Sequence, residues 1–292
     1  MRAAWIAFLL AGCTGGPTMM NGGDGGGGDM ALGPMDTVFT MAPFTVGAGQ
    51  EVYKCQDFAN PWGMDVDVRE WESHMTAGSH HMLVFYKANA TDGALEDCSG
   101  LEFASGPFGA QTPDAIVTYP DGIAALVKAG QGLRIVSHYL NATQQPINAA
   151  VKLIARRADS STITQHAGIF FFNNTNFLIP ADGQPHTISM TCTAPLDMNY
   201  LYATAHMHKH ATNLTAMLNG NQIYTIDQWD NVPFQKYDPP LLVAKGSQLT
   251  FSCTFVNTGS APLVFGESAT ANEMCIFDGQ FYPSDGNDVL CN

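Results

Sequence analysis

The chain of 292 residues has a formal net charge of −14, with 13% charged and 46% hydrophobic residues. Such a balance excludes a nucleic-acid-binding surface and a polybasic membrane footprint, both of which need clustered Lys and Arg. It suits an exported body, and the length allows two folded domains.

In chain order, the first feature is the apolar run from Ala3 to Leu10 behind a single positive charge, Arg2. The run is too short to span a bilayer and ends in small residues, as an export signal does. Leu10-Ala11-Gly12-Cys13 resembles a bacterial lipoprotein box, which makes residues 1–12 a signal peptide and Cys13 the acylated first residue of the mature chain. Thr14 is not the Asp that can retain such proteins at the inner membrane. The expected location is therefore the bacterial cell envelope, lipid-anchored at the outer membrane and facing the periplasm or the surface. Residues 13–34 collapse to Gly, Met, Asp and Thr, a composition that cannot bury enough apolar surface to offset its ordering entropy, so they read as a flexible tether.

Beyond the tether, strand signals dominate. Leu83–Tyr86, Leu133–Tyr139 and Val151–Ala155 are β-rich runs bounded by Gly, Pro or Asn. In the second half, 186–192 and 249–255 alternate, placing Ile188, Met190 and Cys192 on one face and Cys253 on the apolar side of its own strand. Asn219-Gly220 between Leu214–Leu218 and Gln222–Ile226 signals a hairpin. The fold class is all-β, two tandem jelly-roll β-sandwich domains at 35–157 and 158–292, with the polar stretch from Arg156 to Ser161 as the junction.

Cys55, Cys98, Cys192, Cys253, Cys275 and Cys291 are an even set, consistent with three disulfides in an oxidising compartment, though six cysteines permit fifteen connectivities. If the halves are separate domains, Cys55 pairs with Cys98. A bond from Cys275 to core-facing Cys253 could pin the segment that follows Met274.

The chemistry-bearing residues fall into two sets. If 200–208 is one regular strand, Tyr200, Tyr202, Thr204, His206 and His208 share a face, and His206 with His208 forms a chelate. Met274 can complete that set, and a thioether selects copper over zinc, calcium or magnesium. In the first half, His80 and His81 point to opposite faces of a regular strand, so they join His138 at one ion only if a bulge turns one ring back. His74, His166 and His186 read as surface residues, and so does His210 at the strand end. The sequons at Asn89, Asn141, Asn173 and Asn213 read as chance.

Gly78-Ser79-His80-His81-Met82, Ser137-His138-Tyr139, His206-Met207-His208 and Glu273-Met274-Cys275 together resemble the ordered ligand motifs of the copper type II, ascorbate-dependent monooxygenases. That family includes peptidylglycine α-hydroxylating monooxygenase and dopamine β-monooxygenase. The resemblance spans about Cys55 to Cys291 and implies two coppers per chain. His80, His81 and His138 would hold the electron-transfer copper; His206, His208 and Met274 would hold the copper at which O2 reacts. It also implies the pairs Cys55–Cys98, Cys192–Cys291 and Cys253–Cys275, and ascorbate or another one-electron reductant.

Departures narrow the substrate. In the peptide-amidating members an arginine two residues before His-x-His binds the substrate carboxylate, and here that position is Thr204. A tyrosine four residues after the methionine also contributes there, and here it is Asp278, which either faces an amine or sits as a solvated loop carboxylate. Peptidylglycine is therefore not the expected substrate, and hydroxylation of a C–H bond in another small molecule, by a monomeric enzyme with its domains facing across a cleft, is. The competing reading is a non-catalytic copper-binding lipoprotein for sequestration or delivery. A zinc hydrolase lacks a His-Glu-x-x-His motif or comparable pairing.

Overall fold

A computed structural model of the protein describes residues 32–100 and 105–291. The expected signal peptide, Cys13 and the tether as far as residue 31 lie outside the described residues. Each predicted strand forms, within Ser79–Ala88, Gln131–Leu140, Val151–Arg157, Pro185–Thr193, Ala211–Leu218, Asn221–Ile226 and Gln248–Val256. Asn219 and Gly220 both take positive φ, 49° and 83°, which is the backbone that a two-residue hairpin turn of matching twist requires.

Alternation explains the layers. Along Gln248–Val256, Leu249, Phe251, Cys253 and Phe255 are buried while Thr250, Ser252 and Thr254 face outward. Each large apolar side chain so buried is worth about 1.5–3 kcal/mol over exposure. On the outer face the hydroxyls pair across strands at 2.8 Å: Thr187 with Thr254, Ser189 with Ser252 and Thr191 with Thr250.

The protein is all-β, with two jelly-roll sandwich cores. One core gathers buried residues from Phe39 to Ala155, with Leu201 and Tyr202, around Trp71 and Tyr139. The other gathers Phe170 to Val289 around Phe170, Tyr200 and Phe277. A five-stranded sheet covers the first core, in the order Glu96–Asp97, Glu51–Phe58, Gln131–Leu140, Ser79–Ala88, Phe108–Ala110. A four-stranded sheet covers the second, in the order Pro185–Thr193, Gln248–Val256, Ala211–Leu218, Asn221–Ile226.

Both cores share one ten-stranded sheet. Eight of its strands run Asp36–Thr40, Val151–Arg157, Val66–Met75, Ile123–Val127, Gln165–Asn173, Cys275–Ser284, Met198–Met207, Gln235–Val243, and off this path Asp114–Thr118 pairs with Val66–Met75 and Val289–Cys291 with Gln165–Asn173. The halves meet where Ile123 to Ala125 pair in parallel with Gln165 to Ala167. Between the halves in sequence, Ser160–Thr162 forms a 3-10 turn capped by Asp159, whose Oδ1 accepts from the Ser161 N–H at 3.0 Å. Residues 34–292 cluster as a single unit, in which the two cores lie on a common sheet.

Cys55–Cys98, Cys192–Cys291 and Cys253–Cys275 are bonded, with Cα separations of 5.9, 6.2 and 5.9 Å. The last ties the start of Cys275–Ser284 to the central strand of the four-stranded sheet.

Candidate metal centre

The first triad depends on a break in strand pairing. His138 pairs with His81, but the next residue, Tyr139, pairs with Ser79, leaving His80 as the extra residue of a β-bulge. The bulge turns the His80 ring to the side of its neighbour, so the two ring centroids lie 5.1 Å apart and each is about 5 Å from His138 (5.0 and 4.9 Å). Tyr53 stacks on His138 at 3.8 Å, and Glu51 Oε1 accepts from His138 Nε2 at 2.9 Å.

The second set differs from the regular strand expected. Pairing on both sides of Met198–Met207 skips Leu201, so Tyr200 and Tyr202 do not share a face. Tyr200 enters the second core, stacked on Phe170 at 3.9 Å, while Tyr202 enters the first. The extra residue shifts the pleat by one and aims Thr204 and His206 away from Ala203, Ala205 and Met207. The strand ends at Met207, so His208 is placed by a turn. Glu273 fixes that turn: its buried carboxylate accepts from the N–H groups of His208 at 3.0 Å and His210 at 2.7 Å. His210 is thus partly buried and also reaches Glu273 through Nδ1 at 3.1 Å.

The hydrogen bonds assign a free lone pair to three rings. Gln111 donates through Nε2 to the Ala205 carbonyl at 2.6 Å, so its Oε1 accepts from His206 Nδ1 at 2.8 Å and His206 Nε2 carries the lone pair. His208 Nδ1 donates to the Asn272 carbonyl at 3.3 Å, which frees its Nε2. His138 Nε2 donates to Glu51, which frees its Nδ1. These free nitrogens, and both nitrogens of His80 and of His81, are buried without any hydrogen-bond partner. Burying unpaired polar atoms is costly, and oriented imidazoles backed by a carboxylate, an amide or a carbonyl are what a bound metal ion requires.

The five rings form one assembly. Donor atoms of His80, His81 and His138 lie within 4.8 Å of one another, and so do those of His80, His206 and His208. Across the two sets, ring centroids are 5.0 Å apart for His80 and His206 and 4.9 Å for His81 and His206. Burial, reinforced by the neighbouring imidazoles, holds His80, His81 and His206 well below the usual histidine range and His208 at about 4. Burial also lowers His138, against the pull of Glu51. All five are therefore neutral near pH 7, the form that ligates metal.

Glu51 joins the halves at this point. Besides His138 it accepts from the Ala269 N–H at 2.6 Å and the Ser268 hydroxyl at 2.8 Å. Burial opposes its ionisation, but these donors and His138 together hold its carboxyl down at about 2. Glu267 in the same loop accepts from the Ser99 hydroxyl at 2.7 Å and the Gly100 N–H at 2.8 Å, and its carbonyl takes the Tyr53 hydroxyl at 2.6 Å. This loop leads directly into Glu273 and Met274.

Met274 is buried, 4% exposed, and shares with His81, His206 and Thr204 the wall of a cavity of about 450 Å³. Phe85, Phe108, Phe171, Phe234 and Ile276 make much of the remaining wall. Asp278 lies in the cavity wall, on a strand and directly opposite Thr204, which corrects the solvated-loop alternative. Burial pushes its carboxyl up to about 7. Asp278 and Asp288 are the only acidic side chains among the described lining residues, and no Lys or Arg is present there. Thr204 is buried and accepts from Gln111 Nε2 at 3.2 Å.

The discounted histidines are half-buried and paired rather than plain surface residues. His74 bridges Glu72 and Asp114 at 2.7 Å each, His166 meets Asp67 at 2.8 Å and His186 meets Asp182 at 3.0 Å. Sequence reasoning missed Glu51 and Gln111, which carry no motif. It noted Glu273 beside Met274 without giving it a role.

No protein-family model matches the sequence, and no curated protein does. Among solved structures, the chain is similar to the major capsid protein P2 of bacteriophage PM2, with 7% identity, a TM-score of 0.36, and coverage of 87% of this chain and 99% of that one. It is also similar to the STIV MCP, with 7% identity, a TM-score of 0.37, and coverage of 85% and 97%. Likenesses at this level carry no argument about function.

Proposed function

We propose that the protein is a copper-dependent monooxygenase that hydroxylates a C–H bond of a small molecule, with O2 as co-substrate and ascorbate or another one-electron reductant. The observation that carries the reading is the set of seven buried imidazole nitrogens without partners beside a buried methionine and a large cavity. Imidazole donors with a thioether suit copper and suit hard cations poorly. His80, His81 and His138 would hold one copper, and His206, His208 and Met274 the other. Bound copper supplies one-electron transfer and O2 activation.

The chain's own residues do the rest. Gln111, Asn272 and Glu51 hold three rings in the tautomer that presents a lone pair, and Glu273 fixes the turn that carries His208. The largely apolar wall accommodates a lipophilic body. Among the described lining residues Asp278 and Asp288 are the only acidic side chains and no Lys or Arg is present, so the cavity disfavours carboxylate substrates and favours a neutral molecule or an amine, which supports a substrate other than peptidylglycine. A sequestration protein has no use for such a cavity beside its ligands, and this favours the enzyme over the binding-protein reading. Acylation of Cys13 would keep the body at the bacterial envelope, acting there as a monomer.

The test is Met274→Leu, which keeps volume and apolarity and removes the sulfur. Expected are two coppers in both proteins, weaker copper(I) binding at one site of the variant, and loss of ascorbate-supported O2 uptake with small amines or neutral lipophiles. Unchanged copper(I) affinity, or preferential retention of zinc, overturns the reading.

A further inference from the structure

The two ligand sets are not independent. His80 belongs to both groups of mutually close donor atoms, one with His81 and His138 and the other with His206 and His208. Its ring is 2% exposed, and neither of its nitrogens has a hydrogen-bond partner. His138, His206 and His208 each spend one nitrogen on a protein acceptor, which limits each to one ion. His80 is under no such limit. Its ring centroid is 5.0 Å from both His138 and His206, 5.1 Å from His81 and 5.6 Å from His208, so it stands among all four. His81 has two free nitrogens as well, but it belongs to only one of the close groups.

We propose that His80 is a ligand shared by the two metal sites, one ring nitrogen facing each, so that the five histidines make a single coupled centre. This rests on the metal-binding part of the function proposed above and deepens it. With both sites filled, His80 would have to give up its remaining N–H proton to solvent for each ring nitrogen to serve as a ligand. The bulge that leaves His80 without a cross-strand partner is what frees the ring for both neighbours. The Glu51 and Glu267 contacts across the halves, with Gln111 on His206, hold the second set within reach of the first.

The experiment is copper(II) loading of the full folded chain, with bound metal measured by elemental analysis and paramagnetic copper by double integration of the electron paramagnetic resonance spectrum at liquid-helium temperature. The shared ligand predicts two bound coppers and loss of most of the integrated signal, because spins linked through one imidazole pair. It also predicts that His81→Ala and His208→Ala each retain one copper with full signal. His80→Ala is expected to weaken both sites together. Two bound coppers with a full signal in the wild-type chain overturn the proposal, and this outcome depends on no variant. The readout is separate from turnover: coupled copper without O2 consumption supports the shared ligand while overturning the monooxygenase, and O2 consumption with two uncoupled coppers does the reverse.

Discussion

The Cys253–Cys275 disulfide separates two roles that are usually confounded, stabilising the fold and orienting a ligand. Its sequence separation is 22, against 43 for Cys55–Cys98 and 99 for Cys192–Cys291. Loop-closure entropy then ranks their contributions at about 3, about 4 and about 5 kcal/mol. Metal binding should follow a different order, because only Cys275 is bonded directly next to Met274. Replacing each pair by alanines and measuring urea unfolding should place Cys253→Ala/Cys275→Ala as the mildest of the three for stability. In competition with a copper(I) chelator the same variant should show the largest loss of affinity, and Cys192→Ala/Cys291→Ala almost none. Affinity losses that simply track the stability losses would refute the view that this disulfide orients the methionine.

Gln111→Ala leaves His206 Nδ1 and the Ala205 carbonyl without their partner, which should cost about 1–3 kcal/mol in unfolding experiments and also weaken copper binding at the second set. Asp278 gives a pH signature in the metal-free protein. With its folded carboxyl at about 7 against an ordinary 3.8, the folded state holds a proton that the unfolded state gives up, so this group erodes stability as pH rises through that window. Asp278→Asn should therefore gain on the wild type steadily between those values and hold a constant lead above them; parallel unfolding profiles would sink the assignment.

The strands were legible because 186–192 and 249–255 alternate over seven residues, the other runs are β-rich and bounded by Gly, Pro or Asn, and no helical period competes. The ligands were legible because His80-His81, His138, His206-Met207-His208 and Met274 each sit at a strand segment or its edge. For His80 and His81 to face one ion, adjacency requires a bulge, and a bulge is present at His80. The bulge at Leu201 was not legible, since a period-two reading assumes an unbroken pleat and nothing in Tyr200-Leu201-Tyr202 marks the break. Glu51 and Gln111 were out of reach for another reason: they act on His138 and His206 across 87 and 95 residues, and each is an ordinary polar residue in its local setting. The burial of Asp278 likewise follows from its two flanking strands, paired through Thr204 and Phe171, rather than from its neighbours in sequence.

The parallel seam between Ile123–Val127 and Gln165–Asn173 sets how a molecule can enter and leave. A pair of lobes on a flexible connection could gape like a clamshell, but backbone hydrogen bonds run across this boundary from one lobe into the other. Opening by rotation would have to break this ladder of three residue pairs. Local rearrangement avoids that break, and Leu290, 67% exposed on the short strand that ends at Cys291, is the most open of the large apolar side chains that line the cavity. Selectivity by size would then be tuned around Leu290, and charge preference at Asp278.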